Sequence, residues 1–365
     1  MSRKIFNFEY FSMWREIPIL FFLELMKRNK KVQKNGKILI VNPCLIGEFA
    51  ASVPAIVDYV KRHENKKIDL LVTPQLQSVA QKISGIGHVY VTNSVYLGRN
   101  AKGVKYRDQK FSKYEKIIVL RVSELTYSIT LDIESSEVKT AFRKMAGYVI
   151  HLIKNLILGR TPKRWSTLNF EILGGRERKF ELEEMFDFSH DEKEQIEKMA
   201  IWSGEEKKLI VHVGTKWSMK RWMNDRWVEL LKRINASGRY KIIFVGGNDD
   251  VADFEYISKR LGFEVESLIN KIDLGELIQI LNKADYFIGI DSGPSNLAHL
   301  VDLPSVTLYG PGPHMYMSIH KRDKKIDKTN GRGLHQLFFA VENSYIKKIS
   351  VDEVYDNFLS LVSGR

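Results

Sequence analysis

Cysteine is almost missing from this chain: Cys44 is the sole one in 365 residues. A single thiol excludes a disulfide framework and any multi-cysteine metal centre, and it points to a reducing compartment. Cys44 itself, just after an apolar run, reads as a small packing residue, with a nucleophile as the alternative. No G-x-G-x-x-G follows the first apolar run and no G-x-x-x-x-G-K-[ST] occurs, which disfavours a nicotinamide enzyme and a P-loop nucleotidase. No Asp-x-Asp loop is evident for a divalent metal. No uninterrupted apolar run near the start is long enough to span a bilayer, and no small-residue cleavage site marks a secretory signal.

Positive charge, by contrast, is in excess, with 57 Lys and Arg against 44 Asp and Glu and a formal net charge of +13. Basic proteins bind polyanions through counterion release. Here the basic residues are interleaved with acids, as in Lys61-Arg62-His63-Glu64 and Arg176-Glu177-Arg178-Lys179, and no helix-turn-helix, zinc-finger or aromatic-platform signature accompanies them. The distribution argues against nucleic acid. An anionic membrane surface, a nucleotide diphosphate and a phosphorylated glycolipid are all served by the same excess.

The length exceeds what one hydrophobic core organises, so two domains are expected. Residues 1–36 form an amphipathic basic leader, in which Tyr10, Phe11, Trp14, Phe21, Phe22 and their apolar neighbours are interrupted by Arg15, Glu16 and Glu24 and closed by Lys27-Arg28-Asn29-Lys30-Lys31. Two readings stand: an interfacial helix on anionic lipid, or a helix packed on the protein's own surface. From Lys37 onward strand and helix patterns alternate as in a parallel sheet covered on both faces. The first series has strands at 37–41, 68–72, 88–91 and 116–120, and helices at 52–63, 75–83 and 142–158. The charge-rich stretch 174–192 marks the junction. A second series follows, with strands at 209–213, 241–245, 286–290 and 305–309 and helices at 225–235, 251–261 and 274–283. The fold class is therefore α/β with two Rossmann-like domains, over 37–185 and 190–345. Residues 346–365 carry a terminal helix of the kind that returns to the first domain.

The most informative stretch is Ile288 to Pro311. A buried-strand pattern ends in Asp291-Ser292-Gly293, Pro294 suits a first helical position, and Leu303-Pro304 closes a short helix before the next strand. A helix start reached through small residues presents unpaired N–H groups to an anion. On this pattern alone a phosphate cradle and an ordinary tight β-to-α connection are both open.

Asp291-Ser292-Gly293-Pro294 with Leu297-Ala298 resembles the signature of glycosyltransferase family 9, the ADP-heptose:lipopolysaccharide heptosyltransferases. Three further segments agree in order and spacing. Lys37 to Glu48, continuing to Pro54-Ala55-Ile56, is similar to the family's first strand, Gly-Asp loop and following helix. Leu209 to Thr215 with Lys220-Arg221-Trp222 and Trp227 is similar to the opening of its second domain, and Ile242 to Asp250 to the next strand and its donor turn. The resemblance implies the GT-B layout, two Rossmann-like domains facing a cleft, with the acceptor in the N-terminal domain and the nucleotide sugar in the C-terminal one.

The chemistry such a site needs is a base for an acceptor hydroxyl and positive charge or dipoles for the departing diphosphate. Glu48 stands where the family carries Asp and is the candidate base; the alternative is a solvated first-turn Glu favoured by the helix dipole. Lys220 is the candidate for offsetting leaving-group charge, with Arg221, Thr215 and Ser218 as further diphosphate contacts; the alternative is a basic surface loop. Asp249 or Asp250 fits ribose hydroxyls, or else caps the next helix. Asp291, Ser292, Gly293, Pro294 and Asn296 complete the donor set, with Asn296 in place of the family's His. The resemblance implies an inverting, metal-independent transferase with no cofactor, moving a sugar, heptose from ADP-heptose, onto a lipid-linked oligosaccharide. Its place is the cytoplasm, peripheral to the inner membrane, with no nucleic-acid partner. The alternatives are another nucleotide sugar, or a non-catalytic nucleotide-sugar or glycolipid-binding protein.

Overall fold

Runs of aliphatic residues bounded by turns form strands buried on both faces, and those strands pair in parallel. The computed structural model describes residues 35–93, 108–121, 123–140, 164–215, 220–310, 322–328 and 345–364. The leader up to residue 34, the helix expected at 142–158, Ser218 and the Pro311–Pro313 turn lie outside them.

Two compact units divide at Asp187 and Phe188. In the first, strands β1 (Lys37–Val41), β2 (Lys67–Val72), β3 (Ile86–Val91), β4 (Tyr114–Val119) and β5 (Ser135–Thr140) form a parallel sheet in the order β3-β2-β1-β4-β5. β1, Lys-Ile-Leu-Ile-Val, is central, and its last four residues are buried. The segment expected as one helix over 75–83 is broken into a 3₁₀ turn at Pro74–Leu76 and a short helix at Gln77–Ala80. Cys44 is buried, and burial, reinforced by nearby Glu48, holds its thiol well above the ordinary value, as suits a packing residue rather than a nucleophile.

In the second unit, β6 (Lys207–His212), β7 (Tyr240–Phe244), β8 (Glu266–Ser267), β9 (Tyr286–Ile290), β10 (Ser305–Tyr309) and β11 (Asp323–Asp327) form a parallel sheet ordered β11-β10-β9-β6-β7-β8. Gly289 lies opposite His212 in the β6–β9 register, and a Cβ there would come 2.7 Å from the Phe287 ring and 2.9 Å from the His212 carbonyl oxygen. The terminal helix spans Val351–Val362. The apolar face of that helix, Val351, Val354 and Phe358, is built into the core of the second unit with Trp222, Trp227 and Ile346. Asp or Lys at every position but Ile326 hides β11 from an apolar-run reading, and only Ile326 of that edge strand is buried.

In both sheets the strand order reverses beside the first strand of the unit, between β1 and β4 and between β6 and β9. Connections leave in opposite directions at such a point and open a crevice at the C-terminal ends of the strands, where ligands of open parallel sheets settle. The candidate residues follow β1, β6, β7 and β9.

Candidate functional site

The second unit gathers most of them. β9 ends at Ile290, and Asp291 is pinned by its N–H to the Leu308 carbonyl at 3.0 Å, so it stands at the C-terminal end of the sheet, largely buried. Lys220 Nζ reaches it at 2.5 Å, and the two side chains are 14% and 8% exposed. Two segments 71 residues apart are thereby joined by a charge-assisted contact. The loop carrying Lys220 is anchored by its tryptophans. Trp222 donates to the Ile349 carbonyl at 3.0 Å and meets Trp227 edge-on at 4.9 Å, both rings buried.

Arg221 is oriented by three acceptors: the Thr215 carbonyl at 3.1 Å, Asp253 Oδ2 at 2.7 Å and the Asp249 carbonyl at 3.3 Å. Asn224 holds the other oxygen of Asp253 at 3.0 Å. Thr215 thus enters through its backbone. The Asp249–Asp250 alternative separates by burial: Asp249 is exposed at the mouth, whereas Asp250 is 4% exposed and committed inward. Asp250 accepts from the Gly247 N–H at 2.8 Å and lies 3.2 Å from His212 Nε2. Burial works to raise its pKa, but the His212 contact and the Gly247 and Gly214 N–H groups outweigh it and hold the carboxyl below its ordinary value. The carboxylate fits because residues 214 and 246 are glycines; a Cβ on Gly214 would come 2.1 Å from Asp250 Oδ1.

His212 was not singled out from the sequence. Its other ring nitrogen, Nδ1, is 3.0 Å from Ser292 Oγ, so Asp250, His212 and Ser292 form one chain of contacts from β7 through β6 to the start of the helix Gly293–Leu300. That helix offers fewer donors to an anion than its sequence promised. Ser292 N–H goes to Ser295 Oγ at 3.0 Å, Pro294 has no N–H, and Asn296 spends its side-chain amide on the Ser292 carbonyl at 2.6 Å. Asn296 therefore ties down the helix start. His299 sits against Thr307 Oγ1 at 3.2 Å in the interior, as a packed helix histidine does.

In the first unit, Glu48 lies in the five-residue helix Ile46–Ala50 after β1. One of its oxygens accepts from the Leu45 N–H at 3.3 Å and the other is 3.8 Å from Arg121 Nε, just after β4. Among the described residues, no group of three or more His, Cys, Asp or Glu is placed to hold a metal ion, and no helix is long and apolar enough to cross a membrane.

Residues 163–332 match the family described as Glycosyltransferase family 9 (heptosyltransferase). Lipopolysaccharide heptosyltransferase 1 of Escherichia coli O18:K1:H7 (strain RS218 / NMEC) is 25% identical over 143 residues, which is 38% of this chain and 42% of that protein. The match thus spans less than half the length of that relative. Two solved structures share the fold over nearly the whole chain. The family 9 glycosyl transferase from Veillonella parvula DSM 2008 superposes with a TM-score of 0.67 at 15% identity, covering 92% of this chain and 100% of that one. The ADP-heptose lipopolysaccharide heptosyltransferase II of E. coli does so at 0.64 and 14% identity, covering 90% and 99%.

Proposed function

The chain belongs to glycosyltransferase family 9, and from that premise we propose that it transfers a sugar, heptose from ADP-heptose, to a hydroxyl of a lipopolysaccharide core or related lipid-linked glycan. The reading rests on one observation above the others, the Lys220–Asp291 contact at the β6–β9 reversal. It brings the basic loop and the Asp-Ser-Gly-Pro turn together at the end of a parallel sheet where a nucleotide sugar is expected to lie. Lys220 and Arg221 meet the diphosphate, Asp291 the sugar hydroxyls, and exposed Asp249 the ribose. Gly293 lets the ligand approach the backbone. Ser218 adds a hydroxyl donor from the same basic loop.

The reaction then needs one proton removed and one leaving group stabilised. Glu48 takes the proton of the acceptor hydroxyl, whose oxygen attacks the anomeric carbon as the nucleoside diphosphate departs with the bonding electrons; a single displacement inverts the centre. Lys220 and Arg221 offset the charge that develops on the departing diphosphate, and no metal is required for that step. The acceptor is membrane-borne, and the basic leader is the segment suited to an anionic surface at its cytoplasmic face.

A second reading has one specific observation in its favour. The Glu48 carboxylate already faces an N–H and a guanidinium, as a carboxylate of purely structural use would in a non-catalytic nucleotide-sugar binder. The test is mass-spectrometric detection of glycan product with ADP-heptose and a lipid-linked acceptor, for wild type and Glu48→Gln. The transferase reading expects turnover reduced about 10²–10⁴-fold in the variant with donor affinity unchanged. Equal turnover removes Glu48 as the base, and donor binding without transfer by wild type on matched acceptors supports the binder.

A further inference from the structure

Three arginines gather at the end of the first unit that lies away from Glu48. The helix Val53–Lys61 runs back from the C-terminal end of β1 toward the start of β2, as the crossover between two parallel strands must. Arg62, just past that helix, therefore stands at the opposite end of the sheet from Glu48. Asp58, one turn earlier, has a buried side chain, 8% exposed. Its Oδ2 accepts from Arg62 Nε at 2.7 Å and its Oδ1 from Arg178 Nε at 3.1 Å. A buried carboxylate requires such partners. Here one carboxylate orients two guanidiniums, and each spends only its Nε on it.

The faces of both guanidiniums are supported too, with Arg178 4.3 Å from the centre of the Phe180 ring and Arg62 5.7 Å from that of Tyr59. Arginines at helix ends also answer orphan carbonyls and the helix dipole. That accounts for one contact, Arg62 Nη2 to the Leu173 carbonyl at 3.2 Å, where the helix Trp165–Leu173 stops. It leaves Arg62 Nη1 and both Nη groups of Arg178 without a hydrogen bond among the described residues. These groups border a surface pocket of about 420 Å³, whose wall includes Gly174, Gly175 and exposed Arg176. The pocket needs glycine at 175, because a Cβ there would come 2.3 Å from Asp58 Oδ2 and 2.9 Å from Arg62 Nη2. Glu177 is engaged elsewhere, its two oxygens accepting from Ser166 and Thr167 at 2.6 and 2.5 Å. Three guanidiniums thus line the pocket against the single carboxylate of Asp58.

We propose that this pocket binds a phosphate monoester, held by the forks of Arg62 and Arg178 with Arg176 at the rim. A dianionic phosphate supplies acceptors in the geometry those forks present, and it balances the charge that Asp58 leaves over. The site belongs to the first unit alone, shares no residue with the candidate transfer site and does not rest on the transferase reading. Its phosphate is carried by a soluble ester or by a lipid headgroup, and the test separates the two.

The full chain is labelled with phenylglyoxal, which modifies accessible guanidiniums, and Arg176 and Arg178 are read by peptide mass spectrometry, with exposed Arg260 of the second unit as internal control. The probes are glycerol 3-phosphate and phosphatidylcholine vesicles containing phosphatidic acid. Their controls are glycerol with chloride at equal ionic strength and vesicles carrying phosphatidylglycerol at matched charge. Labelling of both arginines should slow about 5-fold or more with at least one probe, while Arg260 is unchanged. Protection by glycerol 3-phosphate identifies a soluble ester, and protection by phosphatidic acid vesicles alone identifies a headgroup. Arg178→Gln leaves Asp58 paired with Arg62, so it should fold and lose the protection at Arg176. If it does not fold, Arg176→Gln, a change at an exposed side chain, gives the reciprocal reading at Arg178. No protection by either probe, equal protection by the controls or at Arg260, or protection undiminished in the folded variant overturns the proposal. The last result would leave these arginines as counterions of Asp58 and caps of the two helix ends.

Discussion

Replacing Lys220 with methionine leaves the Asp291 carboxylate at the C-terminal end of β9, where it is 8% exposed and has lost a partner at 2.5 Å. Removing one member of a buried ion pair destabilises by about 3–5 kcal/mol. The ammonium is itself 14% exposed, so water relieves part of that, and a loss of about 2–4 kcal/mol is expected. Asp291→Asn keeps the shape and leaves an ammonium facing an amide oxygen, for about 1–2 kcal/mol. The double variant removes both charges and should fall within about 1 kcal/mol of wild type, because exchanging a buried pair for neutral groups is often close to neutral. Urea denaturation of the four proteins closes the cycle, with a coupling energy of about 2–6 kcal/mol expected. Losses that simply add would refute the pair as a packed, desolvated contact. The same proteins also test function: the double variant should be folded and still bind donor at least about 10-fold more weakly than wild type. A stable double variant with wild-type donor affinity would remove both residues from the donor site.

Further outcomes follow from the same contacts. Asp250 has a folded pKa below its ordinary 3.8, so its contribution is complete above that value and is lost as pH falls through the lower folded value; the stability advantage of wild type over Asp250→Asn in urea should be level at pH 5–7 and shrink below about pH 4. Gly214→Ala places a Cβ 2.1 Å from Asp250 Oδ1 and should cost about 1–3 kcal/mol by thermal melting, whereas a wild-type melting temperature would show that Asp250 moves aside freely. ADP-heptose should bind with the same calorimetric affinity in the presence and absence of a chelator, and binding that vanishes with the chelator would refute metal-free stabilisation of the diphosphate.

Legibility from sequence followed burial. The central strands β1, β6, β9 and β10 are aliphatic runs between turn residues, so their place and their parallel pairing could be read directly. Edge strands could not: Ser135–Thr140 and Asp323–Asp327 carry charge on nearly every other position because only a minority of their side chains are buried. The helix His190–Glu197 looked like junction because its polar face dominates, yet Ser189 and Glu192 cap it reciprocally at 3.2 and 2.8 Å, a spacing the sequence did contain. Within the candidate site, Lys220, Arg221, Asp249 and Asp291 were legible as polar residues at strand ends. Their partners were not. No local pattern says that Asp253, a helix residue 32 positions away, holds Arg221, or that His212 joins Asp250 to Ser292. Arg121 escaped notice because nothing in Val-Leu-Arg-Val marks the arginine as buried.

The cations at the end of β6 are already compensated, and this bears on affinity. Lys220 and Arg221 are held by Asp291 and Asp253, so on the proposed reading a donor diphosphate would exchange partners rather than meet a bare charge. Part of its Coulomb attraction is offset by the contact it displaces. Donor binding should then depend on shape and hydrogen bonds around the sugar and ribose, with Asp291 released to accept from a hydroxyl as Lys220 turns to phosphate.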